Sequence, residues 1–165
     1  MVHQSKKGKS KMFNTFIEDD PFNKNNSRNI DNTSRFLYNC AGFALETFSW
    51  YLPIEPEWYE SINLRHLTSK AIKKRTRKAV FQMLLDFPDM RIIHSLGELE
   101  SEEYAIAFRF APNRDFHYMK RIEENCWLHK MGSSSCIHRV KDCDVFSKEW
   151  CGRYTGPIIL FAKRG

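Results

Sequence analysis

Three residues have the types and placement to carry nucleophilic chemistry: Cys40, His117 and His129. In "YNCAGFALETF", residues 38–48, Cys40 follows an asparagine and opens an apolar run with helical spacing. A thiolate at such a position is stabilised by the free N–H groups at the start of a helix, which lower its pKa from about 8.5. Those N–H groups can also hold the oxyanion of a tetrahedral intermediate. A second reading stays open, in which Cys40 is a small buried hydrophobe. A thiol nucleophile needs a base within reach, and the base needs an orienting partner. His117 in "DFHYMKR" and His129 in "CWLHKMG" lie on two strand-like segments joined by "EEN". A hairpin there sets the two within a residue or two of each other across the ladder. One imidazole could take the thiol proton while the other fixes its tautomer. Two solvent-facing histidines are the alternative.

These residues need elements to position them. Phe36, Leu37, Ala41, Phe43, Ala44, Leu45, Phe48, Tyr51 and Leu52 recur at spacings of three and four, which predicts an amphipathic helix over 36–52 stopped by Pro53. "PIEPEWYES" follows as a proline-marked loop. A second helix is expected over about 66–86, with Leu67, Ala71, Ile72, Val80, Met83, Leu84 and Leu85 inward and a basic run outward. The second half changes period. Strands are expected over 104–112, 115–122, 126–132 and 156–164, with an irregular connection over 133–155. Helices followed by an antiparallel sheet make an α+β domain over 34–165. Residues 1–33, rich in Lys, Asn, Asp and Ser, read as a mobile polar tail.

The order "NCAGFALE", "DFHYMKR", "WLHKMG" resembles the NlpC-type cysteine peptidases, peptidoglycan-cleaving members of the papain-like superfamily. It is similar more closely to a group of small bacterial and phage proteins of that type. The resemblance implies a papain-like fold in which a cysteine heads a helix packed on an antiparallel sheet. It implies that Cys40 is the nucleophile, His117 the general base and acid, and His129 the orienting third member. Asn39, Asp115, Trp127, Lys130 and Gly132 match motif positions, and the first four are expected to support the site or the substrate. The chain has Asn39-Cys40-Ala41-Gly42 where the NlpC-type pattern has Asp-Cys-Ser-Gly, which leaves the substrate open. A peptidoglycan peptide and an intracellular amide or thioester both fit a thiol-dependent peptidase or amidase that needs no cofactor.

Other patterns define the rivals. "CIHRVKDCDVFSKEWC" offers Cys136, His138, Cys143 and Cys151 as a zinc set, but without the paired Cys-x-x-Cys spacing of a knuckle. The net charge of +6 admits an anionic partner, and ten of the 26 Lys and Arg fall in "KKGKSK" (6–11) and "KAIKKRTRK" (70–78). A non-catalytic module gripping nucleic acid or protein through Lys70–Lys78 is therefore an alternative, with a solvated helix face as the plainer reading. Trp58, Tyr59, Phe81 and Phe87 read as core or loop anchors rather than a stacking platform. His66 and His94 read as structural, and "GSSS" at 132–135 as a turn. The five cysteines, the lack of an apolar leader and the lack of a membrane-length run predict free thiols, a cytoplasmic setting and no membrane partner.

Overall fold

The computed structural model describes residues 17–18 (backbone only), 38–47, 49–54, 67–112, 115–132 and 137–165. The described chain is α+β. A seven-stranded sheet has the order β1-β6-β5-β4-β3-β7-β2. Its strands are β1 (Ile17–Glu18), β2 (Met90–Ile93), β3 (Glu103–Phe110), β4 (Phe116–Glu123), β5 (Cys126–Lys130), β6 (Ile137–Val140) and β7 (Ile159–Arg164). All neighbours are antiparallel except β1, which runs parallel to β6. Among the described residues three α-helices accompany it: α1 (Cys40–Ala44), α2 (Ser69–Asp86) and α3 (Asp142–Val145).

Both faces of the central strands are covered, which is why "YAIAFRF" is apolar at nearly every position rather than at alternate ones. Alternation still sorts the side chains. Phe108, Phe110, Phe116, Tyr118 and Phe161 lie with α1 and α2, in a cluster that includes Cys40, Ile72 and Met83. Ala105, Ala107, Met119, Trp127 and Val140 face the other way, against Val145, Trp150 and Tyr154. Arg109 holds that second layer down: its buried guanidinium donates to the carbonyls of Gly156 (2.7 Å), Ser147 (3.0 Å) and Lys148 (2.5 Å). Three carbonyl partners make burial of this charge tolerable. The β4–β5 hairpin turns at Asn125, whose φ of +53° suits asparagine better than most side chains.

Several expectations are corrected. The helix expected over 36–52 is helical only over Cys40–Ala44, with Phe36, Leu37 and Phe48 outside the described residues. The chain turns back instead: Glu46 adopts φ +57°, and the Ser49 carbonyl comes so close to Gly42 that a Cβ there would sit 1.8 Å from it. Asn39 fastens the return, donating to the Tyr51 carbonyl (2.6 Å) and accepting from the Tyr51 amide (3.3 Å). A glycine and a capping asparagine thus override the helical period. Residues 133–155 are not wholly irregular, because β6 and α3 fall there. "MRII" forms the edge strand β2, which was not anticipated. α2 forms as expected, capped by Thr68 Oγ1 on the Ala71 amide, but Leu85 and Phe81 on it are 60% and 65% exposed rather than inward. Trp58, Tyr59, His66 and Cys136 lie outside the described residues. Of the expected N-terminal tail, Ile17–Glu18 alone is described.

Candidate active site

Cys40 is the first residue of α1. Asn39 caps that helix by accepting from the Gly42 amide at 3.0 Å, as asparagine at an N-cap should. The side chain of Lys130 reaches the same corner from β5. Its buried ammonium donates to the carbonyls of Tyr38 (2.7 Å) and Gly132 (2.5 Å) and lies 5.2 Å from the Tyr38 ring centroid. Asn39 and Lys130 therefore position the backbone that carries the thiol.

The thiol lies against β4, near the end of its ladder with β5. The β4–β5 ladder runs from Glu123↔Cys126 through Lys120↔Leu128 and goes no further. Beyond that point the β4–β5 register is not continued, and the start of α1 approaches the backbone of β4. Cys40 Sγ lies there, 4.0 Å from the Phe116 carbonyl, to which the thiol donates, and against the amide of Tyr118. Phe116 and Tyr118 flank His117 in the chain.

His117 and His129 come together. His117 Nε2 and His129 Nδ1 are 2.7 Å apart, and their ring planes are nearly perpendicular. Extending the register sets His129 opposite Met119, so His117 is its diagonal neighbour on one face. His138 continues the row on β6, paired with His129 and 5.3 Å from it between ring centroids. Three imidazoles thus cross three adjacent strands. Tyr154 lies over the His117 ring at 5.3 Å, and Trp150 approaches its edge at 6.3 Å. Tyr154 Oη donates to Asp115 Oδ2 (2.7 Å), and Arg153 pairs with the same carboxylate at 3.2 Å.

The structure does not join the thiol to an imidazole by a hydrogen bond. The strand alternation that places Phe116 and Tyr118 beside Cys40 directs His117 toward the other face. Burial, followed by the Asp115 charge, pushes the Cys40 thiol up to about 12, while the Tyr118 and Ala41 amides and Lys130 pull the other way. Burial, with Arg153 and His138, drives His117 down to about 3. Burial also holds His129 well below its ordinary range. Burial therefore favours the neutral thiol and the neutral imidazoles in this structure.

The remaining expected residues are engaged with the protein itself. Trp127 is buried and its indole donates to Asp142 Oδ1 at 2.7 Å, tying α3 to β5. Asp115 accepts from its neighbour's amide, Phe116 N, as well as from Tyr154. Among the described residues no group of three His, Cys, Asp or Glu is arranged to hold a metal. His138 sits in the histidine row, Cys143 is exposed and Cys151 is partly buried, so these three form no such group. His94 is exposed. The sequence reading missed Tyr154, Arg153, Trp150, Arg109 and His138 as neighbours of the pair. The alternating "CIHRV" was the signal for His138; nothing local marks the others, and Arg109 ties down the chain on either side of 150–154 through the carbonyls of Ser147, Lys148 and Gly156.

Compared with protein-family models, curated proteins and solved structures, the chain matches none.

Proposed function

We propose that the chain is a thiol-dependent hydrolase of papain-like type, with Cys40 as nucleophile, His117 as general base and acid, and His129 as its orienting partner. The observation that carries this reading is the 2.7 Å His117 Nε2···His129 Nδ1 contact, near the end of the β4–β5 ladder where the Cys40 thiol lies against β4. A neutral imidazole donates through one nitrogen and accepts through the other. When His117 Nε2–H donates to His129 Nδ1, His117 Nδ1 is left as the acceptor for the thiol proton. The reaction requires the site to open and bring Sγ within hydrogen-bond reach of Nδ1; proton transfer then creates the thiolate, which attacks the carbonyl carbon of an amide or ester. The amides of Ala41 and Tyr118 already lie against the sulfur. They are the donors placed to meet the oxyanion. Collapse expels the leaving group, which takes the proton from Nδ1. Water then attacks the thioester, with His117 as base, and returns free Cys40.

The substrate class is a peptide or related amide, with a peptidoglycan peptide and an intracellular amide or thioester both within it. His117 is 1% exposed and Tyr154 lies over its ring, so access to the base has to displace the turn over 150–154. Displacement would withdraw Tyr154 and the Arg153 charge from His117 and admit water, raising the basicity of His117 toward its ordinary range. Release of p-nitrophenol from p-nitrophenyl acetate tests the reading. The expected result is activity lost in Cys40→Ala and lowered roughly a hundredfold in His117→Ala, the usual size of a general-base contribution. Activity undiminished in Cys40→Ala would refute it and leave a non-catalytic domain.

A further inference from the structure

We infer that the outward face of α2 binds single-stranded nucleic acid. Lys70, Lys73, Lys74, Arg77 and Lys78 are all exposed, and their spacing of i, i+3, i+4, i+7 and i+8 puts them on one face. Ile72, Thr76, Ala79 and Met83 occupy the opposite, buried face. The cations run for about 12 Å along the axis, at 1.5 Å per residue.

This arrangement works against the helix. No acidic residue lies in its first turn, so the cations crowd the positive end of the helix dipole. Lys70 and Lys74, Lys73 and Arg77, and Lys74 and Lys78 are like-charged pairs four apart, which repel. Among the described residues, Lys70, Lys73, Lys74 and Arg77 have no carboxylate within ion-pair distance. The one carboxylate on α2, Asp86, ends the helix and accepts from Tyr51 Oη (2.8 Å) and Gln82 (2.8 Å). A bound polyanion reverses both penalties.

Phe81 and Leu85 extend the same face by another turn and are 65% and 60% exposed. An exposed aromatic ring in line with a cationic track is the combination that holds single strands: phosphates follow the charges and an unpaired base stacks on the ring. A duplex offers no free base face at that point. A membrane surface fits less well. An interfacial helix carries a continuous apolar strip with cations at its flanks. Here the cations hold the middle of the face, and only its last turn is apolar.

Fluorescence anisotropy with a labelled oligo-dT, a duplex of equal length and anionic phosphatidylglycerol vesicles tests the inference on the full chain. Oligo-dT should bind with an affinity that falls with salt, the log–log slope being about −3.5 for five phosphate contacts at about −0.7 each. Reversing Lys73, Lys74 and Arg77 to Glu should make that slope shallower by about 2. Phe81→Ala should weaken oligo-dT roughly tenfold and leave the duplex unchanged. All four positions are exposed, so circular dichroism should report an intact fold. No binding at low salt would overturn the inference. So would a slope unchanged by charge reversal, which assigns the contacts to other charges such as 6–11. Equal loss on duplex and single strand, or binding to vesicles alone, would overturn it as well.

Discussion

At the scale of single residues, the site depends on groups that have no solvent to fall back on. His117 and His129 are almost wholly buried, and each makes the other's burial affordable through their shared hydrogen bond. His129→Ala leaves His117 Nε2 without its hydrogen-bond partner of 2.7 Å in a desolvated site. Such a loss costs about 1–3 kcal/mol of stability. Urea unfolding should show it, together with slower acylation of Cys40; a variant of unchanged stability and rate would mean that the pair does nothing. Much of this was legible in the sequence, because a tight turn between two strand-like runs fixes which side chains become neighbours. The protonation state was not legible. A cysteine after a capping asparagine suggests a lowered pKa, yet burial outweighs the nearby amides and raises it. Burial depends on strands and a helix from far along the chain packing around the thiol, and no local pattern announces that.

At the scale of elements, α1 is too short to stand alone and relies on Asn39 and the strand-like return over 49–52. Asn39→Ala removes the cap and both bonds to Tyr51. A loss of about 1–2 kcal/mol is expected from the cap alone. Gly42→Ala should be worse, since its Cβ would collide with the Ser49 backbone. Thermal unfolding of the two variants checks the order. The helix read over 36–52 failed for this reason: periodicity reports which residues are apolar, not where a backbone carbonyl crosses over a glycine. α2, longer and uninterrupted, was legible to its last residue and to within three of its first, though Leu85 faces outward. The 150–154 turn yields a third expectation. Tyr154→Phe keeps the ring over His117 but breaks the bond to Asp115. Alkylation of Cys40 by iodoacetamide at neutral pH should then quicken severalfold; an unchanged rate would show that this bond does not hold the turn closed.

At the scale of the whole molecule, the sheet is a two-sided platform with α1 and α2 on one face and the histidine row under α3 and the 150–154 turn on the other. Its pH tolerance follows from the buried groups. His117, ordinarily 6.5, is held down to about 3, so the folded protein binds fewer protons than the unfolded chain between those values. The stability tied to this histidine is complete above 6.5 and is lost as pH falls toward 3. The slope is up to about 1.4 kcal/mol per pH unit for one group. His129 shifts in the same direction and steepens it. Cys40 acts at the other end: its raised pKa contributes fully below its ordinary 9.0 and fades as pH climbs toward 12. Chemical denaturation across pH should show acid loss beginning near 6.5, and His117→Phe should blunt it. A profile flat from 6.5 to 4 would contradict burial of the pair. Among the described residues no helix is long and apolar enough to cross a membrane. The strand order was beyond reach of the sequence, because β2 and β7 pair across most of the second half of the chain.

The central claim is that the Cys40 thiol, its proton taken by a His117 that His129 orients, forms an acyl thioester. Trapping that species tests it most directly: brief exposure to p-nitrophenyl acetate, acid quench, and peptide mapping of the acetyl group. The account predicts acetyl on Cys40 of the native protein and far less on Cys40 when His117 or His129 is Ala. Acetyl found only on lysines, with Cys40 unmodified while the protein is folded, would contradict it.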